Sequence, residues 1–295
     1  MKKYLLIACI CLLFNSILFA QKTKVENSLL WKVSGNGLIK PSYLFGTYHF
    51  LSNGFIDTIQ AVKKAYAASD AVVGELIIDT SIQRPMMEAA MLKGTTLHNE
   101  LPDTLYNTAL KWFKEEAGLD IAKLDQLNPI SVMTFALAIT HQKYFPNKPG
   151  ELQLDTYFRE EGKKDGKKIF GLETIQIQIK AMFGQLTIQR QVSMLNDLFK
   201  EKDGIRNLIT IMNNAYISQN LVKLQQLMYG SSYKQEELKV LLDDRNNNWM
   251  QQLPKLMKEQ SLFVAVGALH LVGENGLVNQ LRKRGYTVTS INLKN

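Results

Sequence analysis

The sequence predicts an α/β (α+β) chain with a mixed β-sheet core, formed by the two ends of the chain around a long helical region. Three observations support this class. Apolar runs bounded by turn residues lie near both ends, at 29–33 and 262–266 for example, and such runs are typical of buried strands. From about 85 to 250 the apolar residues recur at helical spacing instead. No repeat of fixed period and no low-complexity stretch interrupts the chain.

The amino-terminal elements predict a strand–helix–strand unit. Apolar runs at 29–33 and 42–45 flank a turn, which favours two paired strands. A helix follows, and Asp57 is a suitable N-cap for it. The run from Ala71 to Ile78 then predicts a further strand. This succession is typical of a βαβ unit.

Capping and termination residues divide the rest of the chain. Asp103 begins a helix that ends at Gly118, and Asn128-Pro129 begins another that runs to about Tyr144. The remaining predicted elements are a helix over 152–162, a strand over 168–172, helices between 174 and 249, a strand over 262–266, a helix over 274–284 and a strand over 286–293. The strands from the two ends are expected to pair in one sheet.

The amino terminus predicts export. Lys2 and Lys3 precede an apolar stretch, and small residues lead to Ala20, so residues 1–20 are expected to be a signal peptide. Residues 21–295 then form one domain, periplasmic or secreted, with a helical insertion at about 85–250. No later stretch is apolar over the roughly 20 residues that a spanning helix needs, so no stable membrane span is expected after cleavage.

Composition excludes several classes of function. Both cysteines, Cys9 and Cys11, lie in the predicted signal peptide, so disulfides and thiolate catalysis are not expected in the mature chain. The net charge is +8, but basic residues alternate with acidic ones along the chain, which argues against a nucleic-acid partner. The chain has no glycine-rich phosphate loop, no Gly-x-Ser-x-Gly and no His-Glu-x-x-His.

Two apolar runs each end in Gly-x-x-His, with Gly46 before His49 and Gly267 before His270. Ligands gather where the strands of an α/β sheet reach their carboxyl ends, so the two histidines are expected to share a site. Imidazole is a common metal ligand and acid–base group. The alternative is that both are ordinary loop histidines and that the spacing is accidental.

Three charged residues are further candidates, each with a plainer alternative. Glu75 lies in an apolar run and would need a partner if buried; with two imidazoles it would form an open set for zinc, manganese or iron. The alternative, which the sequence alone slightly favours, is that Glu75 closes the strand as an exposed or salt-bridged residue. Arg245 is able to stabilise a developing oxyanion, but by its sequence context a surface pair with Asp243 or Asp244 is favoured. Glu173 is either a second acid or, more simply, a helix cap.

Six segments of the chain form an ordered set of short motifs. In order, they are 44–49, 73–76, 154–158, 171–174, 245–246 and 266–273, with the sequences LFGTYH, VGEL, LDTYF, GLET, RN and VGALHLVG. Together they resemble the TraB/GumN family, which is related to Tiki proteases and to erythromycin-esterase-like hydrolases. The resemblance extends over nearly the whole mature chain.

The resemblance implies a metal-dependent hydrolase site on an α/β core with inserted helices. In that reading His49 and His270 bind a divalent ion (manganese, cobalt or zinc), and Glu75 is a ligand or general base. Arg245 stabilises charge or holds the site together, with Glu173 as a supporting residue. The leading hypothesis is an exported metallohydrolase acting on peptides or polypeptides. The alternative is a non-catalytic periplasmic protein that binds a peptide or glycan, linked to polysaccharide metabolism.

Overall fold

The structure, a computed structural model, describes residues 27–201, 203–230 and 233–293. The expected signal peptide and both cysteines lie outside these residues. The strands are β1 (Leu30–Ser34), β2 (Ser42–Thr47), β3 (Ala71–Gly74), β4 (Lys168–Gly171), β5 (Leu262–Gly267) and β6 (Thr287–Ile291).

Helices fill most of the chain between β3 and β5. The helices are α1 (Gln60–Ala67), α2 (Gln83–Ala90), α3 (Leu97–Glu100), α4 (Asp103–Ala117), α5 (Pro129–Tyr144), α6 (Leu154–Lys164), α7 (Ile175–Met182), α8 (Ile188–Phe199), α9 (Gly204–Ile217), α10 (Leu221–Tyr229), α11 (Gln235–Leu238), α12 (Asp244–Trp249), α13 (Leu253–Glu259) and α14 (Leu277–Lys283). A π-helical segment, Lys239–Asp243, joins α11 to α12. Among the described residues, no helix combines the length and apolar character needed to cross a membrane.

The strands form one mixed sheet in the order β4-β3-β5-β2-β1-β6. The pairs β4–β3, β3–β5 and β5–β2 are parallel, whereas β1 pairs antiparallel with β2 and β6. The predicted α/β class is therefore confirmed, and strands from the two ends of the chain do pair. One expectation was wrong in extent: β3 ends at Gly74 and does not reach Ile78. The chain turns there, which puts Glu75 just beyond the strand.

Alternating side chains along the strands fill a core on each face of the sheet, because successive strand residues point to opposite sides. Leu44 and Val264 lie on one face with Trp249 of α12. Their sequence neighbours Phe45 and Phe263 lie on the other face and stack with ring centroids 6.0 Å apart. The central strands are covered on both sides, which explains why they are apolar almost throughout.

Several of the helices between β3 and β5 pack around a core of their own, formed chiefly by α4, α5 and α8. Capping explains their ends. The Asn128 side chain accepts a hydrogen bond from the Ser131 N–H at 2.9 Å, Pro129 is the first helical residue, and Gly118 ends α4 with φ of 61°. The expectation that Asp57 caps α1 was wrong: that helix begins at Gln60, and Ile59 occupies its N-cap position without a side-chain hydrogen bond.

The two Gly-x-x-His segments meet where β2 pairs with β5. A Cβ atom on Gly46 would lie 2.9 Å from the Cα atom of Ala268, which belongs to the second segment. Glycine is therefore required at this position because a backbone passes over it closely. The same approach brings the turn after β5 over the end of β2.

Candidate active site

Four side chains lie just beyond the carboxyl ends of four neighbouring parallel strands. Across the edge of the sheet they are Glu173 after β4, Glu75 after β3, His270 after β5 and His49 after β2. The sequence motifs predict this convergence for the two histidines, since parallel strands deliver their carboxyl ends to one edge. His270, Glu75 and Glu173 all meet Arg245, whereas His49 is held by a different partner.

His270 is buried, and its tautomer follows from its contacts. The Asn246 amide nitrogen donates to the backbone oxygens of His270 and Asn275, at 3.1 and 3.0 Å. This fixes the Asn246 Oδ1 atom as the acceptor for the Nδ1–H of His270, at 2.8 Å. The Nε2 atom therefore carries a lone pair, and it accepts a hydrogen bond from Arg245 Nη1 at 3.0 Å. Burial lowers the pKa of His270 to about 3, so the ring is neutral at pH 7.

Glu75 is almost enclosed, with one tenth of its side chain exposed. Its Oε1 atom accepts from the Gly267 N–H at 2.9 Å and lies 4.0 Å from His270 Nε2. Its Oε2 atom accepts from Arg245 Nη2 at 2.5 Å and from the Gln178 amide at 3.3 Å. Burial opposes ionisation, but the positive charges of Arg245 and protonated His49 and the hydrogen bond from Gly267 outweigh it and lower the pKa of Glu75 to about 2.

Arg245 is buried at the centre of this cluster, and the expected surface pair with Asp243 or Asp244 was wrong. Those carboxylates contact Asn275 and Lys239 instead. The π-helical segment ends two residues before Arg245, and such irregular turns occur frequently at functional sites.

Every N–H donor of Arg245 has an acceptor. Nε and Nη2 donate to Glu173, Nη2 also donates to Glu75, and Nη1 donates to His270 and to the Leu241 carbonyl. Of the two roles that the family resemblance implies for Arg245, this geometry supports holding the site together, because no donor is left for a substrate.

Glu173 supports Arg245 and does not cap a helix. Its side chain is 1% exposed, and it accepts from Arg245 and from the Trp249 indole N–H, at 2.7 and 3.0 Å. Thr174, the next residue, occupies the N-cap position of α7. The helix-cap interpretation of Glu173 was therefore wrong, because its side chain points toward the buried arginine.

His49 is held by Asp155, a residue to which the sequence analysis gave no role. Asp155, on α6, accepts from His49 Nδ1 at 2.9 Å and from the Thr47 hydroxyl at 2.5 Å. The charge of Asp155 raises the pKa of His49 to about 9. The Nε2 atom of His49 is left for another partner. The available signal was the position of Asp155 in the segment 154–158, one of those that carry the family resemblance.

A pocket opens beside these residues. His49, Glu75 and Asp155 line it together with apolar side chains from the sheet and from the chain after β3. Its apolar lining comprises Val72, Leu76, Ile78, Ile169 and Ala265, and its other polar lining comprises Gln153, Thr156, Arg159 and Gln178. His98 and His141, to which no role was assigned, do not line it.

The donor chemistry at this edge fits a divalent cation. Glu75 is ionised and His270 is neutral, whereas His49, with its pKa raised to about 9, carries a proton on Nε2 at pH 7 that it must lose to bind a metal ion. Both histidines direct Nδ1–H at an oxygen acceptor, the arrangement found around metal-binding imidazoles. These side chains do not form a closed metal centre in the structure. Across residues 27–201, 203–230 and 233–293, no three His, Cys, Asp or Glu side chains are close enough together to hold a metal ion. The ligand assignment to His49, Glu75 and His270 therefore stays a prediction.

Comparison with known proteins gives consistent matches. The TraB/PrgY/gumN family model matches residues 29–290. Metalloprotease TIKI2 of Danio rerio is 22% identical over 321 residues, covering 90% of this chain and 61% of that protein. Metalloprotease TIKI2 of Xenopus tropicalis is 24% identical over 318 residues (89% and 59%), and Metalloprotease TIKI1 of Danio rerio is 23% identical over 315 residues (89% and 63%). The chain thus spans about three fifths of the length of these relatives. No solved structure matches significantly.

Proposed function

This chain belongs to the TraB/PrgY/gumN family, and from that membership and the site geometry we propose that it is a hydrolase of peptide bonds that works with a divalent metal ion. The observation that carries the proposal is the convergence of two histidines and a carboxylate at the ends of neighbouring parallel strands. The named relatives are metalloproteases. Their names supply the peptide substrate and the metal, which the geometry alone does not specify.

His49, Glu75 and His270 are the residues that would hold the ion. When bound, a divalent ion supplies Lewis-acid polarisation of a carbonyl group and lowers the pKa of water. The Nε2 atom of His270 has a single lone pair, which Arg245 already engages at 3.0 Å. Arg245 and the ion therefore compete for this atom, and we expect weaker binding than in closed three-ligand sites. The choice among manganese, cobalt and zinc is left to measurement.

The other residues keep these donors in place. Asn246 and Asp155 fix the ring orientations of His270 and His49. Arg245, anchored by Glu173, keeps Glu75 ionised next to the pocket. In that position Glu75 accepts a hydrogen bond from the attacking water and so orients it. The apolar wall beside it reduces competing access of solvent to the reacting carbonyl.

We further propose that the chain acts after export, in the periplasm or outside the cell, on peptides or polypeptides. Support comes from the amino-terminal sequence, in which two lysines, an apolar stretch and small residues follow one another. Determination of the amino-terminal residue of the protein recovered from outside the cytoplasm tests this. The expected result is Gln21 as the first residue, and recovery of the intact chain from the cytoplasm would contradict it.

The function is tested with purified protein and a library of peptides, assayed with Mn²⁺, Co²⁺ and Zn²⁺ in turn. We expect metal-dependent cleavage in the wild type and at least a 100-fold loss in His49→Ala and His270→Ala, consistent with the loss of transition-state interactions at a metal site. His98→Ala is the matched control, because His98 is exposed and stacks on Tyr106 away from the pocket.

Circular dichroism and thermal unfolding establish that each variant is folded. Full activity in both folded variants would contradict the proposal. Retention of a peptide by the wild type without cleavage, under every ion, would favour the non-catalytic binding protein that the sequence leaves open.

A further inference from the structure

Arg159 lies in the wall of the pocket and has hydrogen-bond donors that the protein does not use. It is on α6, one helical turn after Asp155, with one tenth of its side chain exposed. Its Nε atom donates to Glu160 Oε1 at 3.0 Å. Within the described part of the chain its two terminal nitrogens make no hydrogen bond. A guanidinium presents five N–H donors in a planar fork, so most of this one is left for another acceptor.

The charges around Arg159 leave it incompletely compensated. Its partner Glu160 also pairs with Lys163 at 3.2 Å. The two carboxylates that line the pocket are engaged elsewhere, Glu75 by Arg245 and Asp155 by His49 and Thr47. Arg159 contrasts with Arg245, whose donors are all used within the protein. An almost enclosed cation with unused donors is costly unless it meets an anion.

The shape and lining of the pocket define that anion. The guanidinium fork suits two parallel bonds to a carboxylate, and apolar residues, among them Leu76 and Ile169, form the adjacent wall. A carboxylate attached to a chain with an apolar side chain would satisfy both surfaces. In a peptide it is either the carboxyl terminus or the side chain of Asp or Glu.

We infer that Arg159 binds a carboxylate of the peptide and so selects which peptides enter the site. The inference rests on the proposed function for its hydrolytic consequence, since an anchor in the same pocket as Glu75 directs cleavage close to the bound carboxylate. The binding step itself is measurable whether or not cleavage occurs.

Three probes test the binding step by calorimetry. They are acetyl-Leu-Ala-Leu as the free acid, the same tripeptide as the carboxyl-terminal amide, and acetyl-Leu-Glu-Leu amide. We expect one or both carboxylate probes to bind wild type roughly 10- to 100-fold more tightly than the uncharged amide, the size expected for a charge-assisted pair. Preference for the free acid identifies the carboxyl terminus as the source, and preference for the glutamyl amide identifies a side chain.

Variants test whether the preference for carboxylate probes over the uncharged amide depends on Arg159. Arg159→Gln is expected to abolish it, and Arg159→Lys to retain part of it, because lysine keeps the charge but lacks the planar fork. Arg84→Gln is the matched control, since Arg84 is exposed on α2 and pairs with Glu88. Glu160→Gln removes the competing carboxylate and is expected to tighten binding of the acid, which tests the inference even if Arg159→Gln fails to fold.

The outcomes separate this inference from the proposed function. Equal affinity of wild type for acids and amide, no binding of any probe, or a preference that survives in folded Arg159→Gln would overturn the inference. Tight, Arg159-dependent binding of acids in a protein that cleaves no peptide would leave the inference standing and contradict the hydrolase.

Discussion

At the scale of single residues, the hydrogen bond between His49 and Asp155 is the contact with the clearest consequence for metal binding. Asp155 fixes the imidazole by taking its Nδ1–H at 2.9 Å, and Thr47 holds Asp155 in turn at 2.5 Å. Carboxylates placed behind a ligating histidine typically change metal affinity 10- to 100-fold. Asp155→Ala is therefore expected to weaken Mn²⁺ or Zn²⁺ binding by about that factor.

Equilibrium dialysis measures this affinity directly, without reference to activity. Thr47→Val is expected to give a smaller loss, because Asp155 keeps its contact with His49. Asp79→Ala is a control of matched chemistry, since that carboxylate only caps a turn next to Ser81. Unchanged affinity in folded Asp155→Ala would show that Asp155 does not position a ligand.

The same residues show how far sequence reasoning reaches into the site. His49 and His270 were predictable because each follows an apolar run, and the run marks both a buried strand and its carboxyl end. Glu75 was a candidate for a different reason, since a carboxylate within an apolar run needs a partner. The hydrogen-bond and ion-pair partners of these site residues were not predictable. Arg245 pairs with Glu75, which lies 170 residues away in the sequence. The two acidic residues that directly precede Arg245 in the sequence were the more obvious partners. Local charge cannot decide between these pairings, because the choice depends on how α12 packs beneath the sheet.

At the scale of elements, the contact between β2 and the turn after β5 sets the spacing of the two Gly-x-x-His segments. Replacing Gly46 with alanine would bring a Cβ atom to 2.9 Å from the Cα atom of Ala268. Overpacking of this kind typically costs about 1–3 kcal/mol. Gly46→Ala is expected to lower the free energy of unfolding by that amount, because backbone and not a flexible side chain must move.

Gly74, at the end of the neighbouring strand β3, offers the matched control. A Cβ atom there has its nearest neighbour at 3.6 Å, an ordinary contact. Urea unfolding of both variants separates the two cases. Equal destabilisation by Gly46→Ala and Gly74→Ala would contradict the close approach.

The predicted and observed elements differ mainly at their ends. The bounds of α4 and α5 were predictable because Gly118, Asn128 and Pro129 act on the backbone locally. The end of β3 was not, since the apolar run continues to Ile78 while the strand stops at Gly74. Isoleucine side chains after the strand are partly exposed beside the pocket, and hydrophobicity alone does not distinguish a buried strand from an apolar pocket wall.

At the scale of the whole molecule, an ion pair between the helical region and the segment that leads to Arg245 connects stability to pH. Glu237 on α11 accepts from Arg190 on α8 through both oxygens, at 2.7 and 2.9 Å, with 8% and 17% of the two side chains exposed. The hydrogen bonds to Arg190 lower the pKa of Glu237 in the folded protein. The pair therefore stabilises the fold fully above the unfolded-state pKa of glutamate, about 4.3, and progressively less as pH falls through the lower folded value.

Glu237→Gln removes this contribution. At pH 7 the variant is expected to be less stable than wild type by about 1.5–3 kcal/mol, the size of hydrogen bonds to a charged group. At pH 3 the difference should be smaller, because protonation of Glu237 weakens the pair in the wild type as well. Glu236→Gln, at the exposed neighbouring position, is the control. A difference between wild type and Glu237→Gln that stays constant from pH 7 to pH 3 would contradict the linkage, because a pH-independent loss reflects packing and not ionisation.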